Sequence, residues 1–241
     1  MTTTRLVKAA AVTTGTGAAI TSGYVGRAWS RYGRVDTGRY PRDRLLDRFL
    51  PDPEVDEYQE CLVHAPAPVT LAVAKRLDLQ AAPLVKGIFW LRSVPGLQHG
   101  QPPRRTAAHG LLAESLALGW GVLAEDPGHE IVVGAYTQPW RRDVVFRSLP
   151  PGEFAAFAEP GYVKIVWTLA ALPSGPGQSV LVTRTRAVAT DPQARRRFRR
   201  YWAPMSAGIA LIRYLSFPLV KQEARRRSFS VVRPTVRSLS G

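Results

Sequence analysis

Two stretches of alternating apolar and polar residues predict a long β-hairpin in the second half of the chain. The first runs from residue 162 to 171, the second from 179 to 190, and a turn rich in proline and glycine joins them. Alternation with a period of two is typical of strands that bury one face. The predicted inner face carries Val163, Ile165, Trp167, Leu169, Leu181, Thr183, Thr185 and Ala187. The opposite face, with Lys164, Arg184 and Arg186, is predicted to meet solvent.

A long amphipathic helix is predicted directly after this hairpin. Asp191 and Pro192 form a helix start, because an aspartate side chain caps the first turn and proline is tolerated at the first helical position. Apolar residues then recur every three or four positions, at Ala194, Phe198, Tyr201, Met205, Ile209 and Ile212. Pro204 removes one backbone hydrogen bond, but the apolar stripe stays in phase across it. The sequence therefore predicts a helix over 192–213 that bends at the proline without ending there.

The chain before the hairpin predicts one strand, several helices and then three short strands. Residues 56–64 alternate as a strand, and the Ala-Pro-Ala-Pro sequence after them begins a helix that reaches Leu77. Further elements are predicted as helices at 82–91 and 106–118, a polar loop at 97–108, and strands at 120–124, 131–137 and 144–149. Together the pattern predicts an α+β fold, in which an antiparallel sheet of six or seven strands wraps around the C-terminal helix.

The formal net charge of +15 is concentrated at the two ends of the chain. Residues 1–50 carry a net +6 and residues 190–241 a net +10, whereas residues 51–189 carry a net −1. A nearly neutral centre without a recognisable binding motif argues against a nucleic-acid partner. The arginines at the ends have two interpretations, a solvated surface and an attraction to an anionic membrane surface.

The first 53 residues differ from the rest and predict a leader (1–53) ahead of a domain (54–227) and a basic tail (228–241). Within the leader, residues 9–26 carry no charge and just reach the length of a membrane span. They contain few large apolar side chains, so a weak anchor, a cleaved signal and a loosely structured segment all stay open. The protein is accordingly expected in the cytoplasm or at a membrane through this segment. Residues 42–50 predict a short amphipathic helix that lies on the domain or on a membrane.

Four local patterns follow one another in an order shared with a known superfamily. They are Ala65-Pro66 opening a helix near Val69; Leu123 to Gly128, then Glu130 and a strand ending at Gly134; Glu159 through Trp167; and Thr183 to Arg186 with Thr190-Asp191, the arginine run and Tyr201-Trp202. In this order the chain resembles the START-like helix-grip superfamily, also called SRPBCC or polyketide cyclase/dehydrase-like, over residues 54–227. It is similar to a bacterial subgroup whose members often carry an apolar N-terminal segment. The resemblance implies a hydrophobic ligand between sheet and helix and, in a minority of members, catalysis of cyclisation or dehydration.

The resemblance carries no catalytic set, so the cavity lining is predicted from inward polar and aromatic residues. Inward threonines in an apolar wall are either satisfied core hydroxyls or groups that orient a ligand. Aromatic residues at such positions are either core packing or lining. The residues considered for the lining are Trp120, Tyr136, Trp167, Thr183, Thr185, Trp202 and Met205, with Trp90 and Trp140 as further aromatic candidates.

The remaining polar residues do not form a recognisable reactive centre. Cys61 is the single cysteine and the four histidines are scattered, so no disulfide, no metal site and no cofactor is predicted. His129 and Glu130, with Glu125 and Asp126, could form an acid–base cluster. They lie in a proline–glycine turn, however, where solvated polar residues collect.

Two classes of function follow, and the lining of the cavity distinguishes them. Apolar walls with isolated hydroxyls would favour a carrier or sensor of a hydrophobic small molecule, such as a lipid or a polyketide. A buried acid, histidine or arginine with a polar partner would favour a cyclase- or dehydratase-like enzyme. A filled interior would leave a scaffold without a ligand.

Overall fold

The computed structural model describes residues 23, 25–35, 38–78 and 110–231, with 229–231 described by their backbone. Several predictions therefore lie outside the described residues. They concern most of the apolar segment 9–26, the helix at 82–91 with Trp90, the loop at 97–108, and the tail beyond residue 231.

The described residues form six helices and six strands. In chain order these are α1 (25–31), α2 (Arg44–Asp47), β1 (Val55–Val63), α3 (Ala67–Lys75), α4 (Leu111–Ala117), β2 (Gly121–Asp126), β3 (Glu130–Thr137), β4 (Phe146–Arg147), α5 (Pro151–Ala156), β5 (Val163–Gly175), β6 (Gln178–Ala189) and α6 (Pro192–Val231). The predicted hairpin corresponds to β5 and β6, and the strand predicted at 144–149 is reduced to the two residues of β4.

The six strands form one antiparallel sheet in the order β1-β6-β5-β3-β2, and β4 pairs with β3 beyond the end of β2. The register places Trp167 opposite Thr185 and Leu169 opposite Thr183 on the face toward α6. This is the inner face that the alternation predicted. The predicted α+β architecture, an antiparallel sheet packed around a long C-terminal helix, is confirmed.

Helix α6 begins where the sequence predicted and continues much further. The Asp191 carboxylate accepts hydrogen bonds from the backbone N–H groups of Ala194, at 3.0 Å, and Gln193, at 2.7 Å. Hydrogen bonds from backbone groups, that of Ala194 foremost, hold the pKa of this carboxyl below its ordinary value. The helix is 40 residues long and passes through both Pro204 and Pro218. Tertiary packing on both sides of each proline retains the helix despite the lost hydrogen bonds.

The inner face of the sheet packs against α6 in two apolar clusters. Near the start of the helix, the fully buried Phe198 packs among residues of β1, β5 and β6, including Val163. Further along, Val220 and Ala224 pack with α3 and with the other end of the central hairpin. The part of α6 between these clusters is the part that faces the cavity described below.

The outer face of the sheet is covered by residues 40–50 and by α5. Leu46 and Leu50 are buried in an apolar cluster there, so the short helix predicted in this segment lies on the domain. Lys164, predicted to meet solvent, is also buried, and this prediction is wrong. Its ammonium group donates to the carbonyl oxygen of Ala155 at 3.0 Å, and burial lowers its pKa.

The prediction that Arg184 and Arg186 meet solvent is wrong as well. The Arg184 guanidinium donates to both carboxylate oxygens of Asp56, at 2.7 and 2.6 Å, and the residue is 2% exposed. Arg186 donates to Asp56 at 3.2 Å and to Asp47 of α2 at 2.6 Å. The sequence pattern of a strand with charged residues at alternate positions is the same whether water or another segment of the chain covers that face. Here β1 supplies Asp56, and the leader supplies Asp47, the Pro41 carbonyl oxygen that accepts a hydrogen bond from Arg184, and the cover.

Candidate ligand-binding cavity

A cavity of about 250 Å³ lies between the inner face of the sheet and the second half of α6. Its walls come from β5, β6 and α6, and residues of α3, α4 and the segment before β2 close one side. Most of the wall is apolar, including Trp120, Trp167, Leu169, Leu181, Ile209 and Phe217. This volume lies just below the usual range of ligand pockets, roughly 300–1,000 Å³, so it suits a small ligand.

Two tryptophans shape the aromatic part of the wall. Trp167 faces inward because of its place in the alternation of β5. Trp120 stacks on Phe146 with ring centroids 5.0 Å apart and lies 6.4 Å from the Trp167 ring. Gly119 makes this approach possible, because its φ is +102° and a Cβ there would lie 2.2 Å from the Phe146 carbonyl oxygen. Glycine at position 119 therefore allows the backbone to place the Trp120 ring in the cavity wall.

The polar end of the cavity is formed by Thr183, Thr185 and Arg213. The guanidinium of Arg213 donates from Nη2 to the Thr185 hydroxyl and from Nη1 to the Glu57 carbonyl oxygen at 3.5 Å. Arg213 is the single ionisable side chain among the described residues that line this cavity. An arginine retains its proton in proteins, so it supplies hydrogen-bond donors and positive charge.

Two further polar side chains of β1 lie beside this end on the same face of the sheet. Glu57 pairs with Thr185, and Gln59 pairs with Thr183, in the antiparallel register of β1 and β6. Burial raises the pKa of Glu57, and the positive charge of Arg213 opposes that rise. The Gln59 side-chain oxygen is buried and finds no donor within the described part of the chain. Buried acceptors are nearly always paired, so this oxygen marks a place for a donor group.

Four of the seven predicted lining residues meet in this cavity: Trp120, Trp167, Thr183 and Thr185. The other three lie elsewhere. Tyr136 is on the outer face of the sheet, where its ring packs 4.3 Å from that of Phe157. Trp202 and Met205 face the sheet but belong to the apolar cluster around Phe198. Trp140 packs against the same cluster, and its indole N–H is buried without an acceptor among the described residues.

Arg213 was not among the predicted residues, although the sequence contains a signal for it. It is the single charged residue between 203 and 220, and it lies one helical turn after Ile209 on the inner stripe. A lone arginine on the buried side of an apolar helix needs a polar partner. That partner, Thr185, is 28 residues away in the sequence, so the pairing could not be read from local spacing.

A second hollow, of about 270 Å³, lies beside α1 and contains Trp202 in its wall. Its other walls mix basic side chains, such as Arg27 and Arg31, with the acidic Glu54 and Glu57. This composition lacks the apolar surface that a hydrophobic ligand requires. The cavity under the second half of α6 is therefore the better candidate.

The polar turn between β2 and β3 is only partly the solvated turn that was predicted. Asp126 and His129 are exposed, but Glu130 is partly buried and accepts a hydrogen bond from the Thr168 hydroxyl at 2.7 Å. Burial, with a contribution from the nearby Asp43 carboxyl, raises the pKa of Glu130 to about 7. This group lies under the leader on the outer face, on the side of the sheet away from the cavity.

No protein-family model and no curated protein matches the chain. Among solved structures, it is similar to norcoclaurine synthase from Thalictrum flavum, determined in complex with dopamine and hydroxybenzaldehyde. That match has 13% identity, covers 68% of this chain and 87% of the synthase, and has a TM-score of 0.32. A structural-genomics protein from Deinococcus radiodurans is 17% identical over 62% of this chain and 97% of its own, with a TM-score of 0.27.

At these identities and TM-scores the matches carry no argument about ligand, reaction or site residues. The fold is assigned from the observed architecture of this chain, namely its order of elements, its six-stranded antiparallel sheet and the long helix packed against that sheet. By these features the chain has the helix-grip fold of START-like proteins.

Proposed function

We propose that the protein binds a hydrophobic small molecule in the cavity under α6, with an oxygen-bearing, anionic end of the ligand at Arg213. The observation that carries this proposal is a largely apolar cavity whose single ionisable lining residue in the described chain is an arginine. A pocket of this kind supplies binding energy through its apolar walls and orientation through a few polar groups. The lipid or polyketide class of ligand fits both requirements.

Arg213 supplies the orientation. Its guanidinium is held by the Thr185 hydroxyl and the Glu57 carbonyl, so it is positioned before a ligand arrives. A carboxylate or enolate there would gain charge-assisted hydrogen bonds worth about 1.5–3 kcal/mol. The apolar body of the ligand would lie against Trp167 and Phe217, where each buried methylene contributes about 0.8 kcal/mol.

The first experiment is native mass spectrometry of freshly purified full-length protein, to detect a co-purifying lipid or polyketide. The second is a titration with 2-naphthoate and, separately, with 2-naphthalenemethanol, followed by tryptophan fluorescence because Trp120 and Trp167 lie in the wall. The carboxylate is expected to bind more tightly than the alcohol, by roughly 10- to 100-fold. The variant Arg213→Met is expected to remove this preference.

The matched control is Arg200→Met, which removes an exposed arginine of the same helix and is expected to leave the preference intact. Equal affinities for the two probes in the unchanged protein would overturn the anionic-end assignment. Absence of both a co-purifying molecule and probe binding would overturn ligand binding itself and favour the scaffold.

A second candidate, a cyclase- or dehydratase-like enzyme, is favoured by one observation. Arg213 with its partner Thr185 is the charged group in the cavity wall that such an enzyme requires. A guanidinium stabilises a developing enolate as well as a carboxylate. The test is to incubate a co-purified ligand with the protein and measure its mass. A loss of water favours dehydration, an isomer with a changed retention time favours cyclisation, and an unchanged ligand favours the carrier.

A further inference from the structure

The side of α6 that faces away from the sheet is apolar in its middle part. Leu211 is 46% exposed, Tyr214 is 72% exposed and Leu219 is 38% exposed, and Pro218 beside Leu219 is exposed as well. These positions lie on the opposite side of the helical wheel from Arg213, which faces the cavity. We name the four exposed residues the α6 outer face. Exposed apolar side chains gathered on one helix face commonly mark an interaction surface.

Basic side chains lie at both ends of this face. Arg196, Arg197 and Arg200 precede it and are exposed, and Lys221 and the run Arg225 to Arg227 follow it. From residue 192 to 231 the helix contains one acidic residue, Glu223, against nine arginines and one lysine. Glu223 pairs with Arg227 at 2.7 Å and with Arg226 at 3.7 Å, so the second basic cluster keeps a net positive charge.

We propose that the α6 outer face docks on the surface of an anionic lipid bilayer. In this arrangement Leu211, Tyr214 and Leu219 enter the boundary between headgroups and acyl chains, and the two arginine clusters meet lipid phosphates. An apolar face with basic residues beside it is the pattern of helices that lie in the membrane interface. The interaction does not depend on a ligand in the cavity, because it uses the opposite side of the helix.

Arg199 is not part of the basic cluster on this side of the helix, because its side chain is held by α1. Trp29 of α1 is 41% exposed, and its ring lies 4.3 Å from the guanidinium carbon of Arg199. Arg199 also donates two hydrogen bonds to the Trp29 carbonyl oxygen, at 3.1 and 2.9 Å. The exposed charges that precede the α6 outer face are therefore those of Arg196, Arg197 and Arg200, and Tyr214 supplies an aromatic side chain of the kind enriched at the level of the headgroups.

The helix lies on the membrane in this proposal and does not cross it. The stretch of α6 that is long and apolar enough to span has a mean hydropathy of 1.3, and 17% of it is buried. Its other side nevertheless packs on the sheet and holds the hydrogen bond from Arg213 to Thr185. Crossing would break these contacts and place a charged arginine in hydrocarbon, which is costly.

A second copy of the chain is a poorer occupant of the same face. Two α6 helices paired through Leu211 and Tyr214 would bring arginine clusters together in either orientation, because both ends of the helix are basic. Juxtaposed like charges oppose association. An anionic bilayer is complementary to both clusters at once.

The test is flotation of the full-length protein with phosphatidylcholine vesicles, with and without phosphatidylglycerol, at low and high salt. The double variant Leu211→Ser/Tyr214→Ser is expected to lose roughly tenfold or more of the partitioning to anionic vesicles. The variant Arg196→Ser/Arg200→Ser is expected to lower binding at low salt and to reduce its salt dependence. Tyr214→Ser alone, at a highly exposed site, provides a second variant should the double variant not fold.

The matched control is Leu172→Ser, because Leu172 is 49% exposed but lies in the β5–β6 hairpin. It is expected to float like the unchanged protein. Flotation of the double variant at the unchanged level would overturn the proposal and assign binding to the leader. Absence of flotation together with a dimer in light scattering that Tyr214→Ser dissociates would overturn it in favour of self-association.

Discussion

Replacing Asp56 by asparagine is expected to remove the charge that compensates two buried arginines. The Asp56 side chain is 1% exposed and accepts three hydrogen bonds, two from Arg184 at 2.7 and 2.6 Å and one from Arg186 at 3.2 Å. Both guanidinium groups would stay charged after the substitution, since arginine does not release its proton. Asparagine conserves the shape of the side chain, so the change isolates the charge.

The expected loss of stability follows from the burial of the two partners. The side chains of Arg184 and Arg186 are 2% and 5% exposed, so solvent cannot replace the lost carboxylate. Removing one partner of such a buried pair costs about 3–5 kcal/mol. This loss is a large fraction of the total unfolding free energy of a domain, about 5–15 kcal/mol, and Tm is expected to fall by roughly 10 °C.

The measurement is urea unfolding at neutral pH, followed by tryptophan fluorescence and by circular dichroism. Asp47→Asn is the control, because the Asp47 side chain is 37% exposed and makes a single contact with Arg186 at 2.6 Å. Its expected cost is about 1 kcal/mol or less. Adding Arg184→Met to Asp56→Asn should cost less than the sum of the two single changes. Equal losses for Asp56→Asn and Asp47→Asn would refute the argument that the leader buries this charge pair.

Three further predictions concern pH, the core and the cavity wall. Folded Glu130 has a pKa of about 7 against an ordinary 4.5, so it binds a proton that the unfolded chain releases. A shift of this size would lower stability by about 3 kcal/mol in a fully buried group, but Glu130 is only partly buried, so solvent screening reduces the expected fall to about 1 kcal/mol as pH rises from 4.5 through 7. The difference in urea midpoint between pH 5 and pH 8 should be smaller in Glu130→Gln than in the unchanged protein; an equal difference in the two proteins would contradict this assignment. Phe198→Ala should cost about 3–5 kcal/mol in urea unfolding because the ring is fully buried, and a loss under 1 kcal/mol would contradict that packing. Gly119→Ala should cost at least about 1 kcal/mol and shift tryptophan fluorescence, whereas Gly152→Ala, with open space at its Cβ in a helix, should not lower stability and should leave the fluorescence unchanged.

The candidate site could be predicted from the sequence on the sheet side and only in part on the helix side. Thr183, Thr185 and Trp167 follow from the period-two alternation, which decides which face each side chain takes. Arg213 lies in phase with the inner stripe, but its role depends on Thr185, which the fold brings to it. Tyr136 was placed in the cavity because its aromatic character suits a wall, whereas its position in β3 puts it on the outer face.

The sequence by itself determined the periodicity of each element and therefore its buried face. The alternation of β5 and β6, the Asp191 cap and the stripe around Phe198 are local properties, governed by backbone geometry within a few residues. Only the tertiary structure decided what covers each face. Arg184 meets Asp56 from 128 residues away, and the carbonyl of Pro41 from 143 residues away. The residues next to a charged side chain in the sequence do not show whether water or a distant carboxylate stabilises that charge, because either partner can solvate it.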